Sequence, residues 1–466
     1  MALSALTVWE VESGGSDNNG GGFVTGSSGT DFTKQTAAQF ALTGVTSSGS
    51  GNTVLSSSAA ATMVGNVANV ISGTNLNTGL FPIVSVVAGT SITFGVNAAG
   101  SSICTGAASA GVINIGGAFA TIAKAIAQLA VTGMIAYVKS ATYSIATGMT
   151  TPTSSNPAGG IIRLIGYGTT RGDLVQPTIK ATAAINALTD GQGGFRVENF
   201  IFEGNAGTGS NAVVFSGGAS AAAVNCVMQN WSSGAITLNA AFSSVIKCSM
   251  TGNGSGVFVQ GTSALVKNCY INGNTGVAIN IISQGVNIIG NILSNNSGAS
   301  TDAIQFSNNY SYVKGVIINN VIYNNGRHGI LSTGNYDISE ISGNIVVNNG
   351  GFGFDITMVN SAVDPLDYGN AFFGNTSGAR SGAAGVGDIT LTGVPFVAAG
   401  SANYALNAVA GQGASCRAVG YPGVLPAGGT GFADIGPLQH QDSPPIITQN
   451  TTLFIASDAG DPYAQV

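Results

Sequence analysis

Charged side chains are scarce in this chain. Of 466 residues, 13 are Lys or Arg and 19 are Asp or Glu, 7% together, where a typical soluble domain carries roughly 25%. Thirteen basic residues in a chain of net charge −6 cannot build a groove that tracks phosphates, which argues against nucleic acid as a partner. Proline numbers only 12, and the 70 glycines follow no period of three, which excludes a collagen-like chain. Five cysteines are too few and odd in number for a disulfide framework, and no CxxC is present. With two histidines in the whole chain, no zinc site is expected, and no metal or cofactor is assigned. Long apolar runs are missing too. The most membrane-like stretch, 118–138, is broken by Lys124, Gln128 and Gly133 and reads as a helix followed by a strand, so no membrane insertion is expected. The opening residues lack a basic start and run into Glu10 and Glu12, so no signal peptide is expected.

What is present is apolar and small. The hydrophobic fraction is 44%, which excludes charge-driven disorder. Gly, Ala, Ser, Thr and Asn replace the missing ions. The charges are also unevenly placed: none lies between Lys34 and Lys124, and only Lys247 and Lys267 lie between Glu203 and Asp302.

A repeat emerges when segments ending in Asn, or once in Trp, are stacked: NFIFEGN (199–205), NCVMQNW (225–231), KCSMTGN (247–253), NCYINGN (268–274), GNILSNN (290–296), NNVIYNN (319–325), GNIVVNN (343–349) and GNAFFGN (369–375). After each of the first seven comes a small residue, then apolar, any, apolar, with Ser332 at the last position in one of them. The first apolar position falls at Val213, Ile236, Val257, Ile279, Ile304, Ile330 and Phe354, with steps of 23, 21, 22, 25, 26 and 24. A period near 24 with strand-like alternation predicts a parallel β-helix whose coils stack ~4.8 Å apart. The fold class is therefore all-β.

Two columns follow from that stacking. One contains Asn205, Trp231, Asn253, Asn274, Asn296, Asn325, Asn349 and Asn375. The other contains Phe200, Cys226, Cys248, Cys269, Asn291, Asn320, Asn344 and Asn370, with Asn268 as an alternative to Cys269. A stacked Asn donates to one neighbour and accepts from the next, which keeps a buried turn hydrogen-bonded. The cysteines read as small buried replacements for Asn.

Three regions result. Residues 1–115 suggest a small β-rich domain of antiparallel strands, from VGNVANVIS (64–72), TGLFPIVSVV (78–87) and TSITFGV (90–96). Residues 116–400 hold the β-helix, with a predicted amphipathic helix over 118–130 plugging its first coil. Residues 401–466 read as an irregular C-terminal cap with an extended tail.

The helix leading into IAYVKSATYSI (135–145), the segment IRLIGYGTT (162–170) and the coils ending GN-x-x-x-NN resemble the pectate-lyase-like superfamily of right-handed parallel β-helices. That resemblance covers roughly 116–400. The two ends, VWEVESGGSDNNGGGFV (8–24) and 406–442, resemble uncharacterised β-helix proteins of tailed bacteriophages. This second resemblance implies a structural phage protein: a non-catalytic spike, fibre or decoration on the virion surface, head or tail. It would be made in the host cytoplasm and assemble as a homo-oligomer, with a trimer favoured. The uncharged 1–115 would meet other virion proteins.

Two alternatives rest on side chains. Asp302 and His328 both lie two residues before an inward Ile, at Ile304 and Ile330, and Asp355 lies one coil further. Stacked side chains there would suit a polysaccharide hydrolase or lyase acting on host surface glycan. The trio resembles the polygalacturonase pattern, but the paired Asp is missing, Arg327 replaces the first Gly of Gly-His-Gly, and no Arg-x-Lys follows. Asp337, Glu340, Asp364 and Asp367 form an acidic group that matches no calcium loop. The second alternative is a non-catalytic glycan-binding module, with Tyr310, Tyr312, Tyr323 and Tyr336 stacking on sugar rings and Tyr368 nearby.

Overall fold

The computed structural model describes residues 3–438 apart from 109, 153–160, 192, 206–209, 299, 308–314, 335–337, 359–365, 418, 421, 425–429 and 433. The expected extended tail lies outside the described residues. The chain divides into two compact units, Met1–Ser244 with Ser249–Ala264, and Val245–Cys248 with the residues from Leu265 onward.

Each unit contains a parallel β-helix in which a coil gives one short strand to each of three sheets. In the first unit, Leu188, Val213, Ile236 and Val257 pair in register along one sheet. In the second, Ile279, Ile304, Ile330 and Phe354 do the same. The sequence period is therefore the length of one coil. Strands such as Val257–Val259 and Ile279–Ile281 bury their first and third residues and turn the middle one outward. Each fully buried Val or Ile in these columns contributes about 1.5–3 kcal/mol.

Turn chemistry keeps the strands short. In the second unit Asn268, Gly290, Asn319, Gly343 and Gly369 all have φ between 55° and 69°, the left-handed region that Asn and Gly tolerate. The next residue in each case points inward. A GN or NN dipeptide thus pairs a turn former with a ladder former. Asn291 Nδ2 donates to Asn320 Oδ1, Asn320 to Asn344, and Asn344 to Asn370, each at 3.0 Å. The companion ladder runs Asn274, Asn296, Asn325, Asn349, Asn375 with 2.9–3.0 Å spacings.

Cys269, not Asn268, occupies the inner column, where its backbone N–H donates to Asn291 Oδ1 at 2.8 Å. No disulfide joins the cysteines, and all are buried. Cys269 Sγ lies 3.4 Å from the Val245 carbonyl, replacing the amide-to-carbonyl bond that Asn291 makes to Val266 at 2.9 Å. In the first unit Trp231 substitutes for Asn by donating Nε1–H to the Phe202 carbonyl at 3.1 Å.

Before the solenoid stands a six-stranded antiparallel sheet in the order Phe40–Thr43, Gly111–Ile115, Val67–Gly73, Gly79–Val87, Ser91–Phe94, Thr53–Leu55. Its core includes Phe81, Ile83, Ile92 and Ile113. The first two strands join a sheet of the β-helix. Thr7–Val11 pairs in parallel with Ile135–Lys139 of the first coil, and Gly22–Val24 pairs antiparallel on its other side.

The helix expected over 118–130 is only Ile122–Ile126. Residues before it are extended, because Phe119 N–H donates to the Glu10 carbonyl at 2.9 Å and bridges Val11. Asp17 fixes the start by accepting from Thr121 Oγ1 at 2.7 Å and from two backbone N–H groups. After Ile126 the chain tightens, with Gln128 and Leu129 N–H donating to the carbonyls of Ala125 and Ile126, the three-residue spacing of a 3₁₀ turn.

The described part of 401–466 lies on a flank of the second unit. With 389–400 it packs Leu391, Phe396, Tyr404, Leu406, Cys416 and Ile435 against Ile292, Val321, Ile345 and Ala371. Ile292–Ser294 and Ile345–Val347 are consequently buried at all three positions.

Candidate functional site

The three residues singled out for chemistry sit on neighbouring coils of the second unit, but not as expected. Asp302, in the turn before Ile304–Phe306, is fully buried. Its carboxylate accepts Arg327 Nε at 2.8 Å, Arg327 Nη2 at 2.5 Å and the His328 backbone N–H at 3.0 Å. Arg327, not the His328 side chain, therefore stacks on Asp302. The guanidinium offers a planar fork that matches a carboxylate, and an imidazole does not. The hydrogen bond to Asp302 holds the Arg327 guanidinium above its ordinary pKa.

His328 faces the other way along the coil axis. Its Nδ1 accepts the Phe352 backbone N–H at 3.0 Å, and its ring stacks on Phe352 with 6.0 Å between centroids. An accepting Nδ1 places the neutral ring's proton on Nε2, which lies 3.5 Å from Asp355 Oδ2. Gly351 makes this possible, since a Cβ there would lie 2.7 Å from His328 Nδ1. Asp355 projects from Phe352–Met358 in register with Leu331 and is partly exposed.

Of the Asp302 and Asp355 carboxylates, only that of Asp355 is partly exposed, beside the His328 ring. Glycoside hydrolysis of the usual kind needs two carboxylates facing a single bond, and Asp302 is withdrawn into the turn. Of the acidic group, Glu340 accepts Tyr368 Oη–H and Ser342 Oγ–H, each at 2.8 Å. Asp367 is bound by Arg380, while Asp337 and Asp364 lie outside the described residues. Among the described residues, no group of three or more His, Cys, Asp or Glu is placed to hold a metal ion, and no helix is long and apolar enough to cross a membrane.

Of the tyrosines considered for sugar stacking, Tyr323 and Tyr368 are among the described residues. Tyr310, Tyr312 and Tyr336 lie outside the described residues. Tyr323 packs edge-on against Phe396 and Tyr404, with 5.9 Å between centroids in both cases. Tyr323 is thereby partly buried against the flank layer.

A second titratable cluster was missed. Glu10 is fully buried, accepts the Tyr167 hydroxyl, and binds Arg171 through Nη2 at 2.5 Å. The Arg171 guanidinium lies 4.2 Å over the Tyr137 ring. Burial pushes the Glu10 carboxyl above its usual pKa, with Arg171 opposing, and burial likewise raises the Tyr167 hydroxyl. These partners are more than 150 residues apart in sequence, so no local pattern joins them.

Residues 183–372 match the family model described as a right handed beta helix region. The fold over these residues is a right-handed β-helix. No curated protein matches the sequence. Among solved structures, this β-helix is similar to the pectate lyase Pel9A (TM-score 0.44, 14% identity, 70% of this chain and 92% of that one). It is also similar to ORF18 of Geobacillus virus E2 (TM-score 0.39, 14% identity, 55% of this chain and 53% of that one). A third is the A-module of the mannuronan C-5 epimerase AlgE4 of Azotobacter vinelandii (TM-score 0.39, 11% identity, 51% and 67%). The chain spans about half the length of the phage protein. At these identities the likeness is one of fold.

Proposed function

We propose that this β-helix is a structural, non-catalytic protein of a tailed-phage particle, a spike, fibre or decoration on head or tail. The state of Asp302 carries the reading. The carboxylate best placed in sequence for cutting a glycan is buried and bound at both oxygens by Arg327. A pair of that kind fixes adjacent coils to one another. The resemblance of both chain ends to phage β-helix proteins supports the same role. Assembly as a homo-oligomer, a trimer first, and contact with other virion proteins through the uncharged 1–115 belong to this reading. Mass spectrometry of purified virions is the test; absence of the chain from the particle refutes it.

A second reading, action on a host surface polysaccharide, is favoured by one observation. His328 is held in a single tautomer beside the partly exposed Asp355, an arrangement that also suits proton transfer. It predicts that Asp355→Asn and His328→Gln each abolish clearance of host capsule by the purified chain while leaving its circular dichroism unchanged. Wild-type protein that clears no host glycan eliminates it.

A further inference from the structure

The last coils of the solenoid change chemistry in three columns. In the second unit one inward column runs Ile288, Ile317, Ile341 and then Asp367. Another runs Ile279, Ile304, Ile330, Phe354 and then Arg380. The inner ladder runs Asn291, Asn320, Asn344, Asn370, whose backbone N–H donates to Asp388 at 3.1 Å. Two apolar columns and one amide column thus end in Asp, Arg and Asp.

The three side chains satisfy one another across the last full coil and the partial coil stacked on it, in which Ile389 pairs with Ala371 and Val386 bridges Tyr368. Arg380 donates Nη1 to Asp367 Oδ2 at 2.5 Å, Nη2 to Asp367 Oδ1 at 2.8 Å and Nε to Asp388 Oδ2 at 2.8 Å. Its guanidinium lies 4.7 Å over the Phe354 ring and 5.2 Å over Phe372, covering the last apolar side chains of the core. Asn370 Nδ2 also donates to Asp367 Oδ1 at 3.0 Å. The loop after Gly378–Arg380 folds over the group, and Gly385 donates its N–H to Asp388 Oδ2 at 2.9 Å. A Cβ on Gly385 would stand 2.5 Å from Asp367 Oδ1.

We infer that Asp367, Arg380 and Asp388 form a charged end layer that terminates the solenoid and blocks another β-helix end, above all that of a second copy, from stacking on it. An Asn ladder propagates because each amide both accepts and donates. A carboxylate accepts only, so the ladder stops at Asp388 with no donor left to offer. An apolar column propagates by offering bare apolar surface; here that surface lies under a guanidinium already paired twice. Repeat proteins require polar terminal layers to stay soluble, and open sheet ends invite pairing with other chains. Copies of this chain therefore associate through faces other than this end.

The test gives the last layer the chemistry of the layers before it: Asp367→Ile, Arg380→Leu and Asp388→Asn together, in the full chain. Sedimentation velocity over a wide concentration range is compared with wild type, and larger species are imaged by negative stain. The expected result is a β-rich spectrum like wild type and a weight-average sedimentation coefficient that rises with concentration, from species joined end to end. A folded triple variant that sediments as wild type at every concentration overturns the inference, and so do larger species joined only side by side. If the triple variant does not fold, Asp388→Asn alone is read by the same measurements, with the same outcomes counting for and against.

Discussion

Arg327 grips Asp302 across adjacent coils by two parallel hydrogen bonds, Nε to Oδ1 at 2.8 Å and Nη2 to Oδ2 at 2.5 Å, with the carboxylate fully buried. Removing the arginine leaves a buried anion without its counter-ion. Arg327→Gln should cost about 3 kcal/mol, the lower end for a broken buried pair because the arginine side chain is 34% exposed. Denaturant unfolding measures this; a loss within error of zero would mean that the pair is a surface ornament. Asp302→Ala should be comparably destabilised, so activity measured on that variant reports folding as much as chemistry.

The ladder predicts a contrast between adjacent residues. Asn320 donates to Asn344 Oδ1 and the Ile288 carbonyl and accepts from Asn291. Asn320→Ala strands several buried polar groups and should cost about 3–5 kcal/mol. Asn319, the left-handed turn residue with φ 56°, should tolerate Gly within about 1 kcal/mol but lose about 1–2 kcal/mol as Val. Equal costs for Asn319→Gly and Asn320→Ala would contradict the division between turn former and ladder former.

One turn carries a bulky residue where smaller ones serve. Ser220, Phe242 and Ser263 all have positive φ, and Phe242 is 62% exposed at φ 57°. Phe242→Gly relieves a left-handed cost of about 1–2 kcal/mol and adds about 0.5–1 kcal/mol of chain freedom in the unfolded state. A small rise in Tm is expected; a fall of several degrees would show that the ring makes contacts of its own.

Acid acts on the loop after Ile162–Tyr167. The Asp173 carboxylate accepts the backbone N–H groups of Gly168, Thr169, Thr170 and Val175. These bonds, Thr170 and Gly168 foremost, hold its pKa far below the ordinary 3.8. A depressed folded pKa contributes stability that is present above 3.8 and fades as pH falls toward the folded value. Asp173→Asn should therefore lower Tm at neutral pH, and the gap to wild type should narrow as the solution is acidified. A gap that stays constant with pH would show that the charge is not what holds the loop.

The β-helix was legible because its signals are local and repeat. Val213, Ile236, Val257, Ile279, Ile304, Ile330 and Phe354 mark one position per coil, and the in-register pairs within each unit follow them. The Asn columns were legible for the same reason. The site was less so. Counting from Ile304 and Ile330 aligned Asp302 with His328, but it said nothing of which way each side chain turns. Arg327, one residue earlier, has the reach and the fork to take the carboxylate. Tyr323 was counted among exposed aromatics because nothing near it in sequence announces the layer formed by Phe396 and Tyr404.

The sequence by itself determined the coil length, the inward columns and the turn positions, since a coil must close on itself and each closure needs the same few residue types. Only the tertiary structure decided which charges meet. Thr7–Val11 lies beside Ile135–Lys139, Glu10 meets Arg171, and Asp367 and Asp388 meet on Arg380. A contact such as Glu10 with Arg171 is placed by where the N-terminal strand returns in space, and a periodic pattern carries no record of that return.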